Sequence, residues 1–421
     1  IDPNGVMILP ARSCGARPNQ VWRPRAKSER LRCDPTPFVP PVCPRTNLVR
    51  YSSRSENGRI GKSHNFASMM TQEILVPRSG RPGAPSRVII GDALSRLGGL
   101  LEGQRPIVIT DSNLKAAYPE LIGRYPHIVI GTGETNKTLE TVGYIYRELL
   151  RLGADRGSYL VGVGGGIVTD ITGFAASTYM RGVGGFGFVA TSLLAQVDAS
   201  VGGKNGVNLD GYKNIVGVFN QPDFVLCDQG MLATLPEREL RAGLAEIIKC
   251  GLIRDKELFG MFENHTFGSF TSDAGLLHRA VVASVELKAA VVAADETERG
   301  ERKLLNLGHT FAHAVEKCTG RYLHGEAVGI GLCIAAKLSH RLGLLSSEDA
   351  EREIAVVGAM GLPTAVAPES GIPAVALLEA AASDKKREAA AIDYVLMDGI
   401  GHAVRRRMPF AELDALAADL L

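Results

Sequence analysis

The sequence predicts an α/β domain built on a parallel sheet, followed by a helical domain, and three observations lead there. From residue 74 to about 245, short apolar runs ("RVIIG", "PIVIT", "HIVIG", "SYLVGVG") alternate with helix-like stretches such as "TLETVGYIYRELLRLG". After residue 245 the strand-like runs nearly vanish and amphipathic periods take over, as in "LLHRAVVASVELKAAVVAAD" and "EAVGIGLCIAAKLSHRLGLL". At 421 residues the chain is long enough for two domains. The boundary is expected near "LPERELRAGLAEIIK", dividing residues 74–245 from 246–421, and no repeat of solenoid period is visible.

Charge narrows the function classes. Residues 1–68 carry 12 Lys and Arg against 4 Asp and Glu, leaving 35 against 41 for the rest, a net of about −6. By charge, the body is not a nucleic-acid binder. No apolar run approaches the roughly 18 residues of a membrane span. Residues 1–68 also hold 9 of the 21 prolines and no apolar periodicity, so they are expected to be an unstructured leader or non-native upstream sequence. A transit peptide would be basic and acid-poor too, but would be amphipathic. In the body, Cys227, Cys250, Cys318 and Cys333 stand singly in apolar surroundings without a CxxC pair, which reads as free thiols in a reducing compartment.

Taken in order, the strand ends carry the candidate chemistry. A strand start at "EILVP" and the run "RVIIG" come first. "PIVIT" leads into Asp111 and Asn113, suited to ribose hydroxyls or simply to capping a helix. "HIVIG" leads into Gly133, Glu134 and Lys137, a lysine suited to phosphate. The run Gly162-Val163-Gly164-Gly165-Gly166 ends the next strand before a helix bearing Asp170, so backbone N–H groups could approach a phosphate. Because the spacing is not GxGxxG, close packing of strand on helix explains these glycines as well.

The next stretch, "STYMRGVGGFGFVATSLLAQVDASVGGKNGVNLDGYKNIVGVFNQP", gathers Arg181, Thr191, Ser192, Asp198, Lys204, Lys213 and Asn214 among glycines with little periodicity. Fixed cations beside a glycine-rich backbone suit an anionic substrate. In "GLAEIIKCG", Glu246 and Lys249 lie three apart on an otherwise apolar helix, where they would serve an ion or pair with each other. "LLNLGHTFAHAVEKCTGRYLHGEAV" holds three of the nine histidines. The i, i+4 spacing of His309 and His313 predicts two metal ligands on one helix face, with core or capping histidines as the alternative.

The strings "GGGIVTDITGFAASTYMRG", "TSLLAQVDASVGGKNGVN", "LNLGHTFAHAVE" and "LHGEAV" closely resemble the 3-dehydroquinate synthases, a family within the sugar-phosphate cyclases. The resemblance spans about residues 74–415. It implies a Rossmann-like NAD-binding α/β N-terminal domain followed by an all-α, metal- and substrate-binding C-terminal domain. NAD is expected at Asp111, Asn113, Glu134, Lys137, Gly164, Gly165, Gly166, Asp170, Thr191 and Ser192, with Lys204 and Lys213 adjoining. Zinc, or cobalt, is expected on Glu246, His309 and His324. His313 would then face the substrate phosphate, against the reading from spacing.

The substrate shell implied by the resemblance is Asp198, Lys204, Asn214, Lys249, Lys288, Arg302, Asn306 and His313, with Lys385 or Lys386 near the phosphate. Arg181 would reach across a homodimer interface, and the location implied is cytoplasmic. One departure is "VATSLL" where the family commonly has "PTTLL"; Ser192 keeps a hydroxyl. The implied reaction oxidises the C5 hydroxyl of a seven-carbon 2-keto acid phosphate, which acidifies C6–H. Phosphate is eliminated, the hydride is returned, and the ring opens and recloses by aldol addition. Rival readings are a metal-dependent polyol dehydrogenase, a cyclase acting on glucose 6-phosphate or sedoheptulose 7-phosphate, and a non-catalytic nucleotide-binding regulator.

Overall fold

The computed structural model describes residues 71–78, 84–383, 391–418 and 420. The leader and Lys385 and Lys386 lie outside the described residues.

Seven strands form the main sheet: β1 (Gln72–Val76), β2 (Ser86–Gly91), β3 (Pro106–Asp111), β4 (His127–Ile130), β5 (Tyr159–Gly164), β6 (Gly185–Ala190) and β9 (Phe224–Asp228). They lie in the order β1-β2-β9-β6-β5-β3-β4. Only β1 pairs antiparallel, at the edge; the remaining neighbours are parallel. Strands covered on both faces need apolar residues at every position, and β5 ("YLVGVG") is buried throughout. The edge strand β1 instead alternates, leaving Leu75 exposed.

Between β6 and β9 the chain leaves the sheet for an antiparallel ribbon, β7 (Lys204–Leu209) and β8 (Tyr212–Phe219). Its two-residue loop is Asp210-Gly211, both at positive φ, as a tight hairpin between right-twisted strands requires.

The second part is helical as expected, with helices Glu237–Arg254, Ala274–Ala294, His309–Cys318, His324–Arg341, Ser347–Ala359, Ala374–Ser383 and Phe410–Ala417. It carries one addition, an antiparallel ribbon of β10 (Ala391–Gly399) and β11 (His402–Pro409). The Glu237–Arg254 helix runs unbroken through residue 245. Its buried residues join one core that holds both sheet residues such as Val88 and Leu160 and helical ones such as Leu244 and Phe311. Two backbone approaches set the helix positions here. A Cβ on Gly325 would lie 1.8 Å from the Ala242 carbonyl oxygen, and one on Gly331 would lie 2.0 Å from that of Gly308. Only glycine lets these helices approach so closely.

Candidate active site

Four adjacent parallel strands, β6, β5, β3 and β4, leave the sheet at one edge, where ligands of such sheets bind. They deliver Thr191 and Ser192, Gly164–Gly166, Asp111, and Gly133 with Glu134 to that edge. Gly165 sits at the N-cap of the Gly166–Thr178 helix and no side chain caps it, which suits an anion. The glycines also have a packing reason: a Cβ on Gly164 would lie 2.5 Å from Val168 Cβ, and one on Gly166 would lie 3.0 Å from Ala199 Cβ. Asp111 caps a helix, its Oδ1 accepting from the N–H groups of Asn113 (2.8 Å) and Leu114 (3.0 Å). Ser192 Oγ likewise accepts from Ala195 N–H at 3.2 Å.

The expected lysines each meet an acid, while Arg302 is held by main-chain carbonyls. Lys137, 5% exposed, donates to Asp170 Oδ2 and Asn214 Oδ1, both at 2.5 Å. Asn214 holds this position at a φ of 53° close to the turn of the β7–β8 ribbon, its N–H donating to Asn208 Oδ1, while Asn208 donates to Glu134 Oε1 at 2.8 Å. Buried Lys288 pairs with the Asp198 carboxylate and also donates to its carbonyl at 2.5 Å. Lys204 pairs with Glu298, which also accepts from Asn306 Nδ2 at 2.7 Å. Buried Arg302 donates to the carbonyls of Gly202 (2.9 Å) and Glu296. At a φ of 102°, Gly202 leaves room for the guanidinium, which would stand 2.6 Å from a Cβ there.

Glu246, His309 and His324 bring one ligand atom each to within 4.8 Å of one another. Glu246 Oε1 lies 3.7 Å from His309 Nε2 and 3.5 Å from His324 Nε2. The carboxylate is 1% exposed: Oε2 meets the Lys249 ammonium, and Oε1 faces the two imidazole Nε2 atoms. A buried carboxylate oxygen set between two inward imidazole nitrogens is costly unless a cation or proton lies among them, so the donor set fits a metal. Both imidazoles are oriented from behind: His309 Nδ1 meets the Leu307 carbonyl at 3.0 Å and His324 Nδ1 meets Glu316 Oε1 at 3.3 Å, leaving both Nε2 atoms inward.

Burial and the neighbouring charges set the protonation of these groups. Burial opposes charge on Glu246, but Lys249 and the two histidines overcome it and hold the carboxyl well below its usual range. Burial and then the Lys249 charge push His309 down to about 3. For His324 burial is outweighed by hydrogen bonding to Glu246 and Glu316, which raises it to about 10.

Spacing alone pairs His309 with His313, and here the geometry differs. The His313 ring stacks edge-on to His309 with centroids 5.5 Å apart, but the donors that converge belong to His309 and His324. The close Gly325–Ala242 approach is consistent with this: Ala242 lies one turn before Glu246, and His324 directly precedes Gly325. Arg181 stands apart, exposed at a φ of 67° beyond the far end of the Gly166–Thr178 helix; among the described residues nothing ties its side chain to this cluster. Two acids escaped the sequence reading, Glu298 and Glu316. Glu298 gives no local signal. Glu316 does: with His309 and His313 it makes an i, i+4, i+7 polar row on a helix whose residues 310–312, 314 and 315 are buried.

Residues 127–242 match the family described as 3-dehydroquinate synthase N-terminal, and residues 243–387 the one described as 3-dehydroquinate synthase C-terminal. Among curated relatives, a 3-dehydroquinate synthase of Halorhodospira halophila is 44% identical over 326 residues, covering 75% of this chain and 91% of that protein. One from Acidithiobacillus ferrooxidans is 45% identical over 307 residues, covering 70% and 83%. Among solved structures, a 2-epi-5-epi-valiolone synthase from Streptomyces hygroscopicus with NAD+ and Zn2+ bound aligns with a TM-score of 0.73 at 28% identity, over 82% of this chain and 99% of that one. With a site of this make-up and relatives this similar over most of their length, the chain belongs to the 3-dehydroquinate synthase family.

Proposed function

We propose a division of labour among these residues for the family's reaction. The chain is a carbon–oxygen lyase of the shikimate pathway, converting 3-deoxy-D-arabino-heptulosonate 7-phosphate to 3-dehydroquinate and phosphate. Its α/β part, residues 74–245, holds NAD along the strand ends: Gly164–Gly166 at the pyrophosphate, with Asp111, Asn113, Glu134, Lys137, Asp170, Thr191, Ser192, Lys204 and Lys213 around it. The helical part, residues 246–421, holds zinc or cobalt on Glu246, His309 and His324 and contributes the substrate pocket. When bound, the dinucleotide supplies reversible hydride acceptance and the metal supplies Lewis-acid polarisation of the C5 oxygen.

The chain's own residues orient and hold charge. Lys204, Asn214 and His313 grip the phosphate. The C6 proton passes to that departing phosphate, so its orientation is part of catalysis as well as binding. Asp198, Lys249 and Asn306 line the ring, while Lys288 and Arg302 meet the carboxylate, a group that glucose 6-phosphate and sedoheptulose 7-phosphate lack. Burial of both cations beside the cluster supports this choice. We further propose a homodimer with exposed Arg181 at its interface, and a cytoplasmic location; no helix among the described residues is long and apolar enough to cross a membrane.

The observation that carries the reading is the buried Glu246 carboxylate facing two inward Nε2 atoms. Elemental analysis tests it. His324→Ala should lose its metal at moderate chelator concentration, while His313→Ala should retain metal and lose rate roughly a hundredfold. A zinc-free His313→Ala beside a zinc-replete His324→Ala would restore the i, i+4 pair and overturn this assignment.

A further inference from the structure

Each histidine of the metal triad is oriented through Nδ1, but by partners of different kinds. His309 uses the main-chain carbonyl of Leu307, two residues away, which the helix start holds rigidly. Among the described residues His324 Nδ1 meets no backbone carbonyl. It uses the side chain of Glu316, eight residues earlier and on a different helix. That carboxylate is itself 4% exposed, and its Oε1, 3.3 Å from His324 Nδ1, also accepts from Lys213 Nζ at 2.8 Å. Lys213 belongs to β8, so three separate elements meet at one carboxylate oxygen: the ribbon, the His309–Cys318 helix and the His324–Arg341 helix.

We propose that Glu316 is the positioning residue of the metal centre. It accepts a hydrogen bond from His324 Nδ1–H, thereby holding the ring with Nε2 turned toward Glu246 and the metal, and it sets the ring plane. The proposal rests on Glu246, His309 and His324 being the metal ligands. Without Glu316, His324 keeps its backbone place, but its ring can rotate about χ2 and carry its proton on either nitrogen. A ligand imidazole freed in this way typically loses about 10–100-fold in metal affinity. Lys213 is the third member of this relay: by pairing with Oε1 from the ribbon it holds the Glu316 carboxylate turned inward against His324.

The test is competition for Zn2+ against a chromophoric chelator, using the full chain and its Glu316→Ala and Glu316→Gln variants. The visible absorption of Co2+-loaded protein serves as a second readout, because it reports ligand geometry independently of turnover. Glu316→Ala should bind Zn2+ roughly 10–100-fold more weakly and change the Co2+ spectrum. Glu316→Gln, whose amide oxygen still accepts from Nδ1–H, should recover most of the affinity and a parent-like spectrum. Melting of the metal-free forms separates this from general damage. An Ala variant that melts lower but binds Zn2+ within threefold of the parent would show a merely structural glutamate and overturn the proposal, as would equal losses in Ala and Gln. If the unaltered chain binds no Zn2+, the triad assignment falls first and takes this inference with it.

Discussion

Replacing Gly325 by Ala should damage the metal centre without touching any ligand. The added Cβ would stand 1.8 Å from the Ala242 carbonyl oxygen and 2.4 Å from its carbon, about 1.6 Å short of ordinary contact. Neither side can yield by rotating a side chain, because the obstacle is the backbone of a buried helix. The two helices must separate by about an ångström or more. His324 precedes Gly325 directly, and Ala242 lies one turn before Glu246, so the displacement passes undiminished into the 3.5 Å gap between His324 Nε2 and Glu246 Oε1. Metal sites tolerate ligand errors of only about 0.2 Å. Overpacking of this kind costs about 1–3 kcal/mol in stability. Gly325→Ala should therefore melt several degrees lower and bind Zn2+ at least tenfold more weakly. Chelator competition and thermal melting of the metal-free protein read the two effects separately. Parental melting and parental zinc affinity together would refute the claim that this glycine sets the site.

Two further outcomes follow from buried charge. Glu353 is fully buried in the Ser347–Ala359 helix with both carboxylate oxygens unpartnered among the described residues, and burial raises it well above its ordinary value of 4.5. Below that pH the acid is protonated whether the chain is folded or not. As pH rises past 4.5 the unfolded chain ionises first, so folding loses stability. Glu353→Gln should gain about 1–3 kcal/mol at neutral pH and almost nothing below about pH 4, and melting curves at the two pH values check this; a pH-independent gain would contradict it. Lys137→Met should cost about 3–5 kcal/mol by stranding Asp170 and should weaken NAD binding, read by melting and nucleotide titration; unchanged binding would remove Lys137 from the cofactor site.

Much of the fold was legible because local rules and tertiary demands agree. The wholly apolar β5 and the glycines at its end each satisfy one constraint that a short string can display, whereas the Asp210-Gly211 hairpin went unread within its glycine-rich stretch. The metal site was legible only in part. The spacing of His309 and His313 is local, but the partner that reaches Glu246 comes from another helix. It is brought there by a glycine whose meaning lies in a backbone more than eighty residues away. Ion pairs such as Lys204 with Glu298 and Lys213 with Glu316 join residues about a hundred positions apart and leave no periodic trace. Asp111 shows the converse limit: its sequence context fits both a ribose ligand and a helix cap, and the cap is present.

The most direct test of the account is a stoichiometry. Hydride is taken from C5 and returned within one turnover, so the purified protein, given heptulosonate phosphate, a divalent metal and trace NAD, should release phosphate in large excess over that NAD while no NADH accumulates. Phosphate assay and nicotinamide absorbance on the same sample read both quantities. NADH rising mole for mole with product, or turnover stopping when the NAD is consumed, would contradict the account and identify a simple dehydrogenase.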